Sequence, residues 1–241
     1  MKPVIPLLPA LALVAACKSD PGPRKPPAMG GAYMVQADLQ EADLAKANLR
    51  GANLRQANLF RANLGKAFLH RANLQEADLQ EARADKADLS QADLSAAVLV
   101  KTRLRSAEMQ RAMLREANLY RADLRGAKLR GAVLHHANLR AAKLGKADLR
   151  EANLSGADLQ DADLSGARLS EADLRDADLQ GARLKGASLK EARVCKDLEG
   201  KIKGFKDKPT WEDCTVSKDD GEGGEGSREA ATSGEPPAPV S

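Results

Sequence analysis

The side chains able to do chemistry are few and scattered. His70 stands alone on one face, His135 and His136 are adjacent on another, and no His cluster with metal-binding spacing appears; His135 and His136 are read as solvated. Of the 34 acidic residues, the 22 between positions 31 and 195 belong to the places of a repeat, where turn formation accounts for them without a general acid or base. No phosphate-binding loop, dinucleotide fingerprint or nucleophile elbow is present. No catalytic residue, metal centre or cofactor is therefore expected. Cys195 and Cys214 enclose a short loop. In an oxidising compartment they would form a disulfide contributing roughly 3 kcal/mol; in a reducing one they remain two thiols, and a zinc site there lacks its other ligands.

What positions every one of these residues is a repeat. Of the 32 positions from 37 to 192 in steps of five, all are Ala except Thr102. Two residues further on, the column from 39 to 194 is Leu except at Ala84, Met109 and Val194. An α-helix advances about 500° in five residues, which would smear both columns around every face. A plain strand fails as well, because an odd period would send every second Leu into water. The chain must turn after each pentad so that Leu returns to one axis, as in a β-solenoid. Aromatic residues at 2% are then no sign of a failed core, and 43% apolar content in strict register argues against disorder.

The A-(D/N)-L-x-x pattern resembles the pentapeptide repeat family over residues 31–195. The resemblance implies an all-β fold, a right-handed quadrilateral β-solenoid with four pentads per coil. The Leu and the small residue two before it point inward, and the other three positions face out. Counting Met34 as the first centre gives about eight coils and, at roughly 4.8 Å per strand spacing, a rod about 40 Å long. A small cap is expected at 196–216, built from Leu198, Ile202, Phe205, Trp211 and Val216, because an open coil would offer unpaired backbone. Residues 217–241 are rich in Gly, Glu, Ser and Pro and are read as a disordered tail.

Before the repeat, residues 1–16 carry one Lys and an apolar run from Val4 to Ala16, too short to span a bilayer permanently, and read as a signal peptide. Val14-Ala15-Ala16-Cys17 looks like a bacterial lipobox, which implies that Cys17 becomes the lipidated first residue and anchors the protein to a membrane. Lys18 after it favours the outer membrane of the cell envelope. Residues 17–30 form a Pro-rich, basic tether.

The outward faces carry the candidate sites. From Val98 to Arg150 there are 13 Lys and Arg against four acids, whereas from Glu151 to Glu191 five basic residues face nine acidic ones. Arg103, Arg105, Arg125 and Lys143 are expected to cluster around Asp123 as an anion-binding strip, with Lys128, Arg130 and Arg150 on the next face. In the same coils Val98 and Val100 are expected under Tyr120, and Met113 under Val133. Those five form a candidate exposed apolar patch for a partner. Phe60 and Phe68 are isolated, with Phe68 expected to pack inside a loosened coil.

Two functions from different classes follow. One is a non-catalytic, lipid-anchored envelope scaffold that presents a rigid surface to a protein or anionic envelope partner. The alternative is the DNA-mimicking, topoisomerase-binding activity of some pentapeptide repeat proteins. A DNA mimic needs a continuous acidic surface, and these central coils are basic. Direct nucleic-acid binding is not expected, since the basic strip lacks stacking aromatics.

Overall fold

The computed structural model describes residues 29–199 and 202–214. The signal segment 1–16, Cys17, residues 18–28, Val216 and the tail 217–241 lie outside the described residues.

One pentad shows why this sequence forms a solenoid. Asn58 donates its N–H to Ala37 in the preceding coil at 2.9 Å, and Leu59 donates to Asp78 in the following coil at 2.7 Å. Arg61 donates to Gln80 at 2.9 Å, and Ala62 closes the turn onto Leu59 at 3.0 Å. The fifth N–H, that of Phe60, is accepted by the Asn58 side chain, 3.1 Å away at Oδ1. All five donors of the pentad are satisfied, as a buried backbone requires. The Asp or Asn after each Ala is thus the acceptor for the one amide the ladder cannot reach.

Repetition of this unit pairs each residue of that column with the one twenty positions later, as in Asp38 with Asn58 and Asn58 with Asp78, always in parallel. The chain is a β-solenoid, and each side of a coil meets the next through a single residue pair. Inside lies one axial core. Leu39 through Leu174 and the alanines between them are almost wholly excluded from solvent. Thr102, the one departure from the Ala column, is also fully buried, and its hydroxyl donates to the Leu79 carbonyl at 2.7 Å. A buried hydroxyl is tolerated there because the inward corner passes close to the carbonyl of the coil before.

The first coil starts earlier than the spacing suggests. Met29, read as the end of the tether, is only 3% exposed, and its N–H donates to Asn48 at 2.7 Å, so the coil already begins there. At the other end the cap is a contracted continuation of the stack. Strand β1 (Arg193–Cys195) pairs in parallel with β2 (Thr210–Glu212), with Arg193 opposite Thr210 and Cys195 opposite Glu212. A single 3-10 turn, Lys196–Leu198, follows β1. Gly186 donates to Gly204, and Lys206 donates to Ala187, so this segment sits where the next coil would lie. Ile202 is buried, and Leu198, Phe205 and Trp211 pack partly buried against the core. Cys195 and Cys214 are joined in a disulfide with their Cα atoms 5.2 Å apart.

Candidate functional site

The outward face departs most from the repeat in the central coils. From Asp38 to Asp93, ten of twelve residues in the Asp/Asn column keep that identity, the exceptions being Phe68 and Arg83. From Val98 to Lys143, seven of ten do not: Val98, Arg103, Glu108, Met113, Lys128, Val133 and Lys143. Each of those seven gives up the side-chain acceptor that Asn58 supplies to Phe60, at a cost on the order of 1 kcal/mol per lost bond. In one case the structure compensates. Arg105 N–H donates instead to Asp85 Oδ1 in the preceding coil, at 3.3 Å.

The basic strip is assembled only in part as its spacing suggests. Asp123, 7% exposed, accepts from Arg105 Nε at 2.7 Å and from Arg125 Nε and Nη2 at 2.9 and 2.8 Å. Lys143 stands beside Asp123 in register, with no ion pair among the described residues. Arg103 departs from the expected cluster and turns to Asp85, 2.6 Å from its Nη2. The reason is geometric: Asp85 lies in the preceding coil, within reach of the long Arg103 side chain and already turned toward the Arg105 amide. One carboxylate shared by two guanidinium groups leaves the strip a net positive charge, to which Lys143 adds. The adjoining basic group is different. Lys128 pairs with Glu108, Arg130 with Glu151 and Arg150 with Asp148, so its charge is matched locally.

These pairs set the response to acid. Burial would raise the Asp123 carboxyl, but hydrogen bonds from Arg125 and Arg105 overcome it and hold the group well below the usual carboxylate range. Asp173 behaves alike, with burial outweighed chiefly by hydrogen bonds from Arg175. At Asp148 the Arg150 hydrogen bonds are the leading cause of a lowered value, against opposing burial. A carboxyl depressed on folding stabilises the fold above its unfolded value, about 3.9, and that contribution is lost as pH falls through the folded value. Melting temperature should therefore be nearly flat from about pH 7 to pH 5 and drop below about pH 4. Asp123→Asn keeps an acceptor for the Arg125 amide while removing the charge. It should lower the neutral-pH melting temperature and flatten the acid limb, checked by thermal melts across pH.

The apolar patch is more sheltered than its composition suggests. Of its members only Met113 is well exposed, at 39%, while Val98, Val100, Tyr120 and Val133 are half-buried. Met113 does pair with Val133, but Val98 is in register with Asn118, not under Tyr120. The Arg121 guanidinium lies over the Tyr120 ring, 5.0 Å from its centroid. Phe68, expected inside a loosened coil, faces out at 39% exposure with Arg50 above its ring at 4.6 Å. The aliphatic axis is already full there, with Leu64 and Leu69 completely buried.

His70 stands apart from His135 and His136, whose ring centroids lie 3.9 Å from each other. His70 Nδ1 meets Ser90 Oγ at 2.9 Å, and His135 Nδ1 meets Ser155 Oγ at 2.8 Å, so His135 is half-buried and hydrogen-bonded where a solvated ring was expected. Asp85, which takes Arg103 and the Arg105 amide, is a partner that the expected cluster around Asp123 did not include. The signal for Asp85 was its place twenty residues before Arg105, in the same stacked column.

The family model "Pentapeptide repeats" matches in eight copies, between residues 29 and 190. Among solved structures, HetL, a pentapeptide repeat protein involved in heterocyst differentiation regulation from Nostoc sp. strain PCC 7120, is 37% identical. The match covers 76% of this chain and 94% of HetL, with a TM-score of 0.44. A second pentapeptide repeat protein from Nostoc PCC 7120 is 43% identical over 42% of this chain and 84% of its own, with a TM-score of 0.36. QnrB1, a plasmid-mediated fluoroquinolone resistance protein, is 18% identical over 77% of this chain and 88% of its own, with a TM-score of 0.43. A search of curated proteins returned no match.

Proposed function

From the premise that the chain belongs to the pentapeptide repeat family, we propose that it is a non-catalytic scaffold of the bacterial cell envelope, anchored by lipid and presenting its outer faces to an envelope partner. The observation that carries the reading is that seven of the ten central pentads from Val98 to Lys143 forgo the turn-stabilising Asp or Asn. A repeat that keeps that acceptor in most of its other pentads has given it up in most of these, where basic and apolar side chains take the outward positions. Departures of this kind from local consistency mark surfaces kept for recognition.

The partner is a protein or an anionic envelope molecule. It would meet Arg105, Arg125 and Lys143 on one side of the rod and Met113, with the edges of Val98, Val100, Tyr120 and Val133, on the others. Arg103 is committed to Asp85 and contributes less. The solenoid winds right-handed through about eight coils, as the family resemblance implies, and is held off the bilayer by the tether that starts at Cys17. Outer-membrane placement follows from Lys18. A disulfide between Cys195 and Cys214 fits an oxidising compartment.

Cell fractionation of wild type and Cys17→Ser, with mass spectrometry of the mature N-terminus, tests the anchor. The expected result is a lipid-modified Cys17 in the membrane fraction, with the variant released from it. An unprocessed protein in the cytoplasm would overturn the envelope reading and make topoisomerase binding the activity to assay.

A further inference from the structure

The cap joint brings together three groups that the linear sequence keeps apart. Asp176, in the coil before, turns its carboxylate toward the cysteine pair, and its Oδ1 stands 3.5 Å from Cys195 Sγ. Its backbone N–H donates to the same sulfur at 3.1 Å. The carboxylate and the two sulfurs all lie within 4.8 Å of one another. Among the described residues this is the one place where three groups able to bind a metal converge. Cys195 is buried at 4% exposure, Cys214 is half-buried and Asp176 is exposed, so the group is rooted in the fold and open on one side.

We propose that, once the disulfide is reduced, Cys195, Cys214 and Asp176 form a three-ligand site for a thiophilic divalent cation of the zinc type, with water in the fourth position. The dimensions fit. Zinc bonds of about 2.3 Å to sulfur and about 2.0 Å to oxygen give a tetrahedral S···O edge of about 3.5 Å. That is the separation already present between Cys195 Sγ and Asp176 Oδ1. The two sulfurs must part to about 3.8 Å, a movement that side-chain rotation supplies while the Cα atoms stay in place.

The chemistry balances in two steps. A small dithiol donates two electrons and two protons: the Sγ–Sγ bond breaks, each cysteine sulfur ends as a thiol, and the reductant leaves as its own disulfide. The cation then displaces both thiol protons to solvent and bonds to the two thiolates and the carboxylate. Disulfide and metal chelate thus close the same joint between the last coil and β2 by different means. Neither step depends on the envelope reading.

The test uses the full chain carrying Cys17→Ser, so that only the late cysteines are available. Reduced with a phosphine and titrated with Co²⁺, it should show a thiolate-to-cobalt charge-transfer band that saturates at one equivalent and is discharged by Zn²⁺. The oxidised protein should show none. Cys214→Ser should abolish the band. Asp176→Asn, which tolerates the left-handed backbone at this position, should weaken Zn²⁺ binding by about tenfold or more with the solenoid signal in circular dichroism unchanged. Absence of the band in the reduced protein overturns the proposal. So does an affinity unchanged in Asp176→Asn, which would leave only a loose two-thiol adduct.

Discussion

Leu124→Lys is expected to abolish cooperative unfolding. Leu124 is completely buried, and the residues above and below it in the axis, Leu104 and Leu144, are equally so. An ammonium placed there finds no carboxylate, since Asp123 points outward and is already held by Arg105 and Arg125. Burying an unpaired charge costs well over about 5 kcal/mol unless the group gives up its proton, and that is comparable to the whole stability of a domain. A solenoid has no other core to fall back on, because each coil is stabilised mainly by its two neighbours. Leu124→Ala separates charge from volume: a cavity alone should cost about 2 to 5 kcal/mol and leave a cooperative transition at lower temperature. Thermal melts followed by circular dichroism distinguish the three proteins. A wild-type curve for Leu124→Lys would mean that the Leu column does not face inward.

The inward half of the molecule was legible in the sequence because it repeats without insertion. Ala and Leu columns of constant phase leave a single arrangement in which all of them are buried, and the structure places them there. The Asp/Asn column was legible as a turn former for the same reason. The outward half was harder to read, because its contacts run between coils and depend on side-chain length. Arg103 reaches down to Asp85 while Arg105 reaches up to Asp123, a choice of direction that composition does not carry. Phe68 was misplaced because its size suggested burial, although it occupies an outward position in an axis with no spare volume. The cap is read least well from sequence. After Val194 the period is lost, and the chain returns to the stack with a shorter offset, Ser188 pairing with Asp207 and Arg193 with Thr210. Nothing in the residue types there states that offset, nor that Asp176 would stand beside the cysteines.

The corners of the coil make the second large prediction. Every fifth residue from Gly31 to Glu191 has positive φ, and 25 of these are not glycine. A left-handed conformation costs such a residue roughly 1 to 2 kcal/mol. The repeat tolerates this because the turn aims each of these amides at the next coil and leaves the side chain outside, free to vary. Ala96 isolates the effect: φ is 55°, its N–H donates to Arg115 at 2.8 Å, and its methyl group forms no side-chain ladder. Ala96→Pro imposes φ near −65° and removes the donor, so it should destabilise the solenoid by about 3 kcal/mol or more. Ala96→Gly relieves the backbone at some cost in unfolded-chain entropy and should be neutral or stabilising by up to about 1 kcal/mol. Only the proline variant should fall below wild type in stability at this atom-poor site, and chemical denaturation measures both. If proline were tolerated there, the corner would not be left-handed, and the outward register of residues such as Arg105 and Met113, on which the proposed recognition surface depends, would have to be redrawn.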